Sequence, residues 1–148
     1  MKIYLAILVV ALSAIVVGVV SSVSAVASSS AGQINVTATL THTSGAKLGP
    51  FGRAGDTQRQ RWRLSDRFGR SIGRMYFSCT WVVSQARLCT VEIQMPQGKI
   101  TAAGSSPTVF EGEYAVTGGT GRYRGGGGVM LYQAIGLRKS VLRVEVTT

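Results

Sequence analysis

The sequence predicts an all-β domain, and three observations carry that reading. Beyond residue 28 no stretch keeps its apolar residues at helical spacing. The chain runs instead in short segments that alternate apolar and polar side chains. Gly, Pro and polar clusters separate those segments. Eight such segments at short spacing suit a sandwich or a closed barrel.

The first residues are read apart from the domain. Met1-Lys2 precedes Ile3 to Val20, eighteen residues without a charge, and a small polar stretch follows from Ser21 to Ser30. Ala25-Val26-Ala27 supplies small residues at the two positions that a leader protease reads. The expectation is a signal peptide over 1–27, a β domain over 28–148, and a secreted, extracellular product. The rival is an uncleaved membrane anchor, because the apolar run just reaches spanning length. The Ala-x-Ala site and the serine tail favour cleavage.

The strand-like segments, in order, are Gln33–Thr43, Arg59–Ser65, Ile72–Val83, Leu88–Met95, Lys99–Ala103, Val109–Val116, Val129–Ile135 and Val141–Thr147. Gly45 to Gly55 reads as a loop, as does Gly104-Ser105-Ser106-Pro107. The third and fourth segments form a hairpin whose register can be argued. Side chains alternate between faces along a strand. The odd positions Met75, Phe77, Cys79, Trp81, Cys89, Val91 and Ile93 make an apolar face. A turn centred on Ser84 sets Cys79 opposite Cys89, Phe77 opposite Val91 and Met75 opposite Ile93. A slip of one residue would break all three pairings. Two cysteines in an exported chain suggest one disulfide, Cys79–Cys89, against the alternative of two buried thiols. Closing so short a loop is worth about 2–3 kcal/mol.

Between the sixth and seventh segments lies Thr117-Gly118-Gly119-Thr120-Gly121-Arg122-Tyr123-Arg124-Gly125-Gly126-Gly127-Gly128. It is not a phosphate loop, which requires Gly-Lys-Ser/Thr, because the run contains no lysine. It is not a dinucleotide fingerprint, because the sixth position counted from Gly119 is Arg124. Its predicted flanks are strands, so Gly118, Gly119, Thr120 and Gly121 read as a structural turn that uses positive φ and close backbone approach.

The remaining candidates for chemistry are few. The chain carries sixteen basic and six acidic side chains, a net +10. Such a balance suits a solvated surface or an anionic envelope polymer. Arg59, Arg61 and Arg63 share one strand face, without aromatic residues interleaved for base stacking, so no specific nucleic-acid partner is expected. One His and two Cys give no metal site. No nucleophile has a recognisable base. Asp66, in the turn-like Ser65-Asp66-Arg67-Phe68-Gly69-Arg70, is the best rim acid. Trp62, Phe77, Trp81, Phe110, Tyr114 and Tyr132 are either core or the wall of an apolar pocket.

Several of these motifs resemble one family. Trp62-Arg63-Leu64-Ser65-Asp66, Gly69-Arg70-Ser71-Ile72-Gly73-Arg74, Met95-Pro96-Gln97-Gly98-Lys99-Ile100-Thr101 and Ala115 to Gly125 are similar to the dirigent and allene oxide cyclase-like barrels. The paired cysteines resemble small exported bacterial members. The likeness covers about Gly55 to Val146. It implies an eight-stranded antiparallel β-barrel around an apolar cavity, often trimeric or dimeric, that works without a cofactor. It further implies guidance of radical coupling or of cyclisation by proximity and orientation. On that basis Trp62, Phe77, Trp81, Tyr114 and Tyr132 are the expected ligand wall, with Asp66 and Arg63 as weak catalytic candidates. The chain departs from the family where Gly126, Gly127 and Gly128 follow Gly125, since an Ala and an Arg are usual there. The expected function is to bind a small apolar or phenolic molecule and guide its cyclisation or coupling. The alternatives are a non-catalytic carrier and a basic cell-envelope interaction protein.

Overall fold

A computed structural model describes residues 31–45, 52–83, 86–108 and 110–148. The expected leader 1–27 lies outside them, as does most of the predicted loop between Gly45 and Gly55. Eight strands follow one another: β1 (Ala31–Gly45), β2 (Thr57–Ser65), β3 (Ser71–Val83), β4 (Ala86–Met95), β5 (Gly98–Ser106), β6 (Glu111–Gly119), β7 (Gly127–Gly136) and β8 (Lys139–Thr147). Each pairs antiparallel with its neighbour in sequence, and β8 returns to β1 from Ala31↔Thr147 to Thr39↔Lys139. The sheet is therefore a closed barrel rather than a sandwich, and it leaves no free edge.

Alternation then decides what fills the barrel. Trp62, Leu64, Met75, Phe77, Val91, Ile93, Ile100, Tyr114, Met130 and Leu142 all point inward and are buried. On β1 a bulge between Leu40 and His42 shifts the phase. Leu40 and Thr43 both contribute to the interior as a result. The expected hairpin register is the observed one: Met75↔Ile93, Phe77↔Val91 and Cys79↔Cys89 are partners. The two cysteines form the disulfide, with Cα atoms 4.0 Å apart. Bridging directly opposed residues locks β3 to β4.

Every strand differs from its expected limits by one or two residues, and β5 and β6 by up to three. Gly104 to Ser106 belong to β5 rather than to a loop, paired with Arg87, Leu88 and Cys89. Gly104 lacks a side chain where a Cβ would stand 2.8 Å from the Glu113 carbonyl, so its backbone packs against β6. Ser106 is fully buried, its hydroxyl between the carbonyls of Thr108 and Glu111. In the sixth segment the strand starts at Glu111, and Phe110 stays outside it and exposed. That strand also runs on to Gly119, because a bulge opposite Thr101 and Ala102 absorbs Thr117.

An up-and-down barrel puts alternate turns at opposite ends. The β2–β3, β4–β5 and β6–β7 turns share one end, where the glycine run sits. Gly121–Tyr123 forms a single 3₁₀ turn there. Gly121 has φ +61°, and a Cβ on it would stand 2.3 Å from the Gln97 carbonyl of the β4–β5 turn. The backbone N–H groups of Arg122 and Thr120 donate to the carbonyls of Gln97 and Lys99, both at 2.9 Å. The Lys99 N–H donates to Thr120 Oγ1 at 3.1 Å. The two turns are thus laced together, backbone to backbone.

Candidate functional site

Among the described residues, the opposite end holds a cavity. Residues from the ends of β1, β2, β4 and β7 and from the β7–β8 turn surround a cavity of about 730 Å³. That is ample for a small organic molecule. Leu40, Trp62, Phe77 and Tyr132 give it an apolar wall, and Gln58, Gln60, Thr43 and Arg87 add polar groups. His42, Phe110, Leu137 and Arg138 stand around its rim.

The aromatic residues touch in series. Trp62 meets Tyr132 edge-on at 6.0 Å between ring centres. Tyr132 lies 5.7 Å from Phe77, and Phe77 meets Tyr114 edge-on at 5.3 Å. Interlocked in this way, the rings hold a fixed surface. Of the five expected wall residues, Trp62, Phe77 and Tyr132 line the cavity. Tyr114 lies beneath them, completely buried. Trp81 is set back behind Arg87, whose guanidinium stands 5.7 Å over the indole. A Cβ at position 52 would sit 2.3 Å from the Trp81 ring, so the backbone at Gly52 covers it from the other side.

Arg87 is the residue that the sequence reading missed. It is only 4% exposed, at the mouth end of β4. Its Nη1 donates to Gln58 Oε1 at 3.3 Å and its Nη2 to the Thr108 carbonyl at 3.0 Å. Both acceptors are neutral. Burial lowers the Arg87 pKa, and the nearby Tyr114 and Tyr132 act against that fall. Burial also raises the pKa of both phenols, so each keeps its proton and remains a donor. The opposing influences are a serine beside each ring, Ser106 for Tyr114 and Ser140 for Tyr132, together with the Arg87 charge. Neither Tyr114 Oη nor Ser140 Oγ completes a hydrogen bond of ordinary geometry, and the same holds for Arg87 Nε and Thr43 Oγ1.

Asp66 and Arg63 stand elsewhere. Asp66 belongs to the β2–β3 turn, at the end away from the cavity. Its carboxylate accepts from the Phe68 and Arg70 N–H groups at 2.9 and 3.0 Å and pairs with the Arg70 side chain at 2.7 Å. Burial pushes its pKa up, but those bonds and the Arg70 charge together hold it below the usual carboxylate value. Arg63 is exposed on the outer face, opposite Arg74 on β3. Arg59 and Arg61 share that face, and Arg61 lies 5.6 Å over the Tyr76 ring. The basic stripe therefore does carry an aromatic neighbour, on β3 rather than on its own strand. A shallower depression of about 590 Å³ crosses this outer surface, lined mainly by exposed polar side chains.

No protein-family model and no curated protein matches the sequence. Solved structures do match in shape. A pyocyanin demethylase superposes with a TM-score of 0.71 at 20% identity, over 78% of this chain and 100% of its own. An exo-specific intermolecular Diels-Alderase gives 0.68 at 14% identity, over 80% and 99%. A pterocarpan synthase dirigent protein gives 0.62 at 11% identity, over 78% and 92%. The fold is that of the dirigent and cyclase-like barrels.

Proposed function

We propose that this barrel receives a small, largely apolar molecule in its mouth and guides its cyclisation or coupling by holding it in one reactive shape. One observation carries the reading: a rigid, aromatic-walled cavity at one end of an otherwise filled barrel. Proximity and orientation act through such a surface without dedicated catalytic groups. None of the six carboxylates lines the cavity, and His42 at its rim is exposed. That composition favours steering by shape over acid–base chemistry. The neighbouring folds named for Diels-Alder and pterocarpan-forming reactions agree with it. Trp62, Phe77 and Tyr132 form the binding wall in this reading, and Tyr114 and Trp81 brace it. The disulfide suits an oxidising, extracellular setting, as a secreted protein requires.

The test is stereochemical. Purified protein is incubated with a monolignol and a one-electron oxidase, with an allene oxide, and with a flexible diene–dienophile pair, and products are resolved on a chiral column. Enantiomeric excess above the protein-free reaction, lost on Trp62→Ala, is the expected result. Tight binding of such molecules with racemic products throughout would leave a carrier.

A further inference from the structure

We propose that the ligand of the mouth cavity is an amphiphilic anion: an apolar or aromatic body bearing a carboxylate or comparable oxyanion, which Arg87 receives. This inference rests on the reading of the cavity as a ligand site and narrows its ligand class.

The argument starts from an electrostatic imbalance. A charge taken out of water is costly unless something of opposite sign compensates it. Arg87 is 4% exposed, and the protein itself offers it no anion. All six carboxylates are accounted for elsewhere. Asp66 pairs with Arg70, Glu92 with Lys99, and Glu145 with Arg143. Asp56 accepts from the Arg53 N–H at 2.9 Å, and Glu111 and Glu113 are exposed on the outer face. What Arg87 does have is a side-chain amide, a backbone carbonyl and an indole face. These hold the guanidinium in place without neutralising it.

The second observation is independent of charge. Four buried side-chain polar atoms lack a partner among the described residues: Arg87 Nε, Tyr114 Oη, Ser140 Oγ and Thr43 Oγ1. Arg87 and Thr43 line the cavity, whereas Tyr114 and Ser140 lie beneath its wall, each beside another hydroxyl, Ser106 and Tyr132 respectively. A guanidinium N–H is a donor only, and a protonated phenol or alcohol can also donate. An unpartnered buried donor is destabilising, so the Arg87 Nε and the Thr43 hydroxyl at the cavity call for an acceptor. A carboxylate offers several acceptor sites and the missing negative charge together. The Leu40, Trp62, Phe77 and Tyr132 wall cannot satisfy polar atoms, so the rest of the ligand must be apolar. No acidic side chain lines the cavity or its rim, whereas Arg138 and His42 do, so an approaching anion meets no like charge.

The test uses matched probes on the intact oxidised protein, read by calorimetry and by tryptophan fluorescence. The probes are 2-naphthoate, the isosteric neutral 2-naphthamide, and acetate. Expected on the wild type is binding of naphthoate about tenfold or more tighter than naphthamide, with acetate far weaker than either. Arg87→Met should remove the preference while keeping naphthamide affinity. Arg87→Lys should keep part of it, and Arg122→Gln, an exposed charge at the far end, should leave it unchanged. Equal binding of acid and amide to the wild type would overturn this inference and leave the cavity reading standing. Binding of neither would overturn both. Acetate as tight as naphthoate would reduce the site to a simple anion hole. The wild-type comparison needs no variant, so it decides the matter even if Arg87→Met does not fold.

Discussion

Where β6 turns into β7, backbone meets backbone. Where β7 turns into β8, side chains face a cavity. The first end is built from glycines whose missing Cβ atoms let the Gln97 and Thr120 peptides interlock. Its polar groups are satisfied locally, down to the Asp66 carboxylate, which closes its own turn. The second end carries buried donors without acceptors and an arginine without a counter-ion. A barrel that needed only to be stable could be finished in the same way at both ends. The contrast separates a structural terminus from a working one, and it makes distinct predictions for each.

The largest effect should come from the closed end. Gly121→Val puts a β-branched side chain at φ +61° and into the Gln97 carbonyl. Strain and clash together should cost about 4 kcal/mol or more. That is a large fraction of the stability of a domain this size, about 5–15 kcal/mol. Urea unfolding would show a collapsed midpoint, and the folded fraction should still bind naphthamide. A variant with an unchanged midpoint would mean that the interlocked turns do not depend on glycine.

The disulfide joins the two regimes, since Cys79 and Cys89 face the interior between the filled base and Arg87. Reduction should lower stability by about 2–3 kcal/mol. Tm should fall by about 10 °C in proportion. Because the bridge holds β4 against β3 just below Arg87, reduction should also weaken naphthoate binding more than naphthamide binding. Loss of Tm with the acid preference intact would assign the bridge to the fold alone.

The fold was largely readable from the sequence because a barrel is specified by period-two alternation and turn residues, and both are local. The β3–β4 register followed from three apolar pairings that had to agree. The sandwich alternative stayed open because closure is a pairing of β1 with β8 across the whole domain, which no local pattern encodes. Strand ends were misread at Gly104 and Ser106, where small residues suit both a loop and close backbone packing. The site was less readable. Trp62, Phe77 and Tyr132 could be named from their face, but not told apart from core until the cavity was seen above them. Arg87 had a signal: it lies two residues before Cys89, in phase with the buried positions of β4. A single charged residue at the start of a strand is usually solvated, so the phase alone did not compel burial. Asp66 drew attention as a lone acid in a turn, and its chemistry is turn chemistry.

A smaller effect sharpens the contrast by its sign. Tyr114 is completely buried, and its hydroxyl, though beside Ser106, completes no hydrogen bond of ordinary geometry. Thr120, at the closed end, accepts the Lys99 N–H through its hydroxyl. Deleting each hydroxyl with little change of shape should therefore move stability in opposite directions. Tyr114→Phe removes an unsatisfied polar atom and keeps the edge-on contact with Phe77, so stability should rise by about 1 kcal/mol. Thr120→Val removes a hydrogen bond at an exposed site, where water takes over as acceptor, and should lower stability by about 0.5 kcal/mol. A destabilised Tyr114→Phe would show that its hydroxyl is already satisfied in solution, and the cavity end would then differ from the closed one in shape but not in unmet polarity.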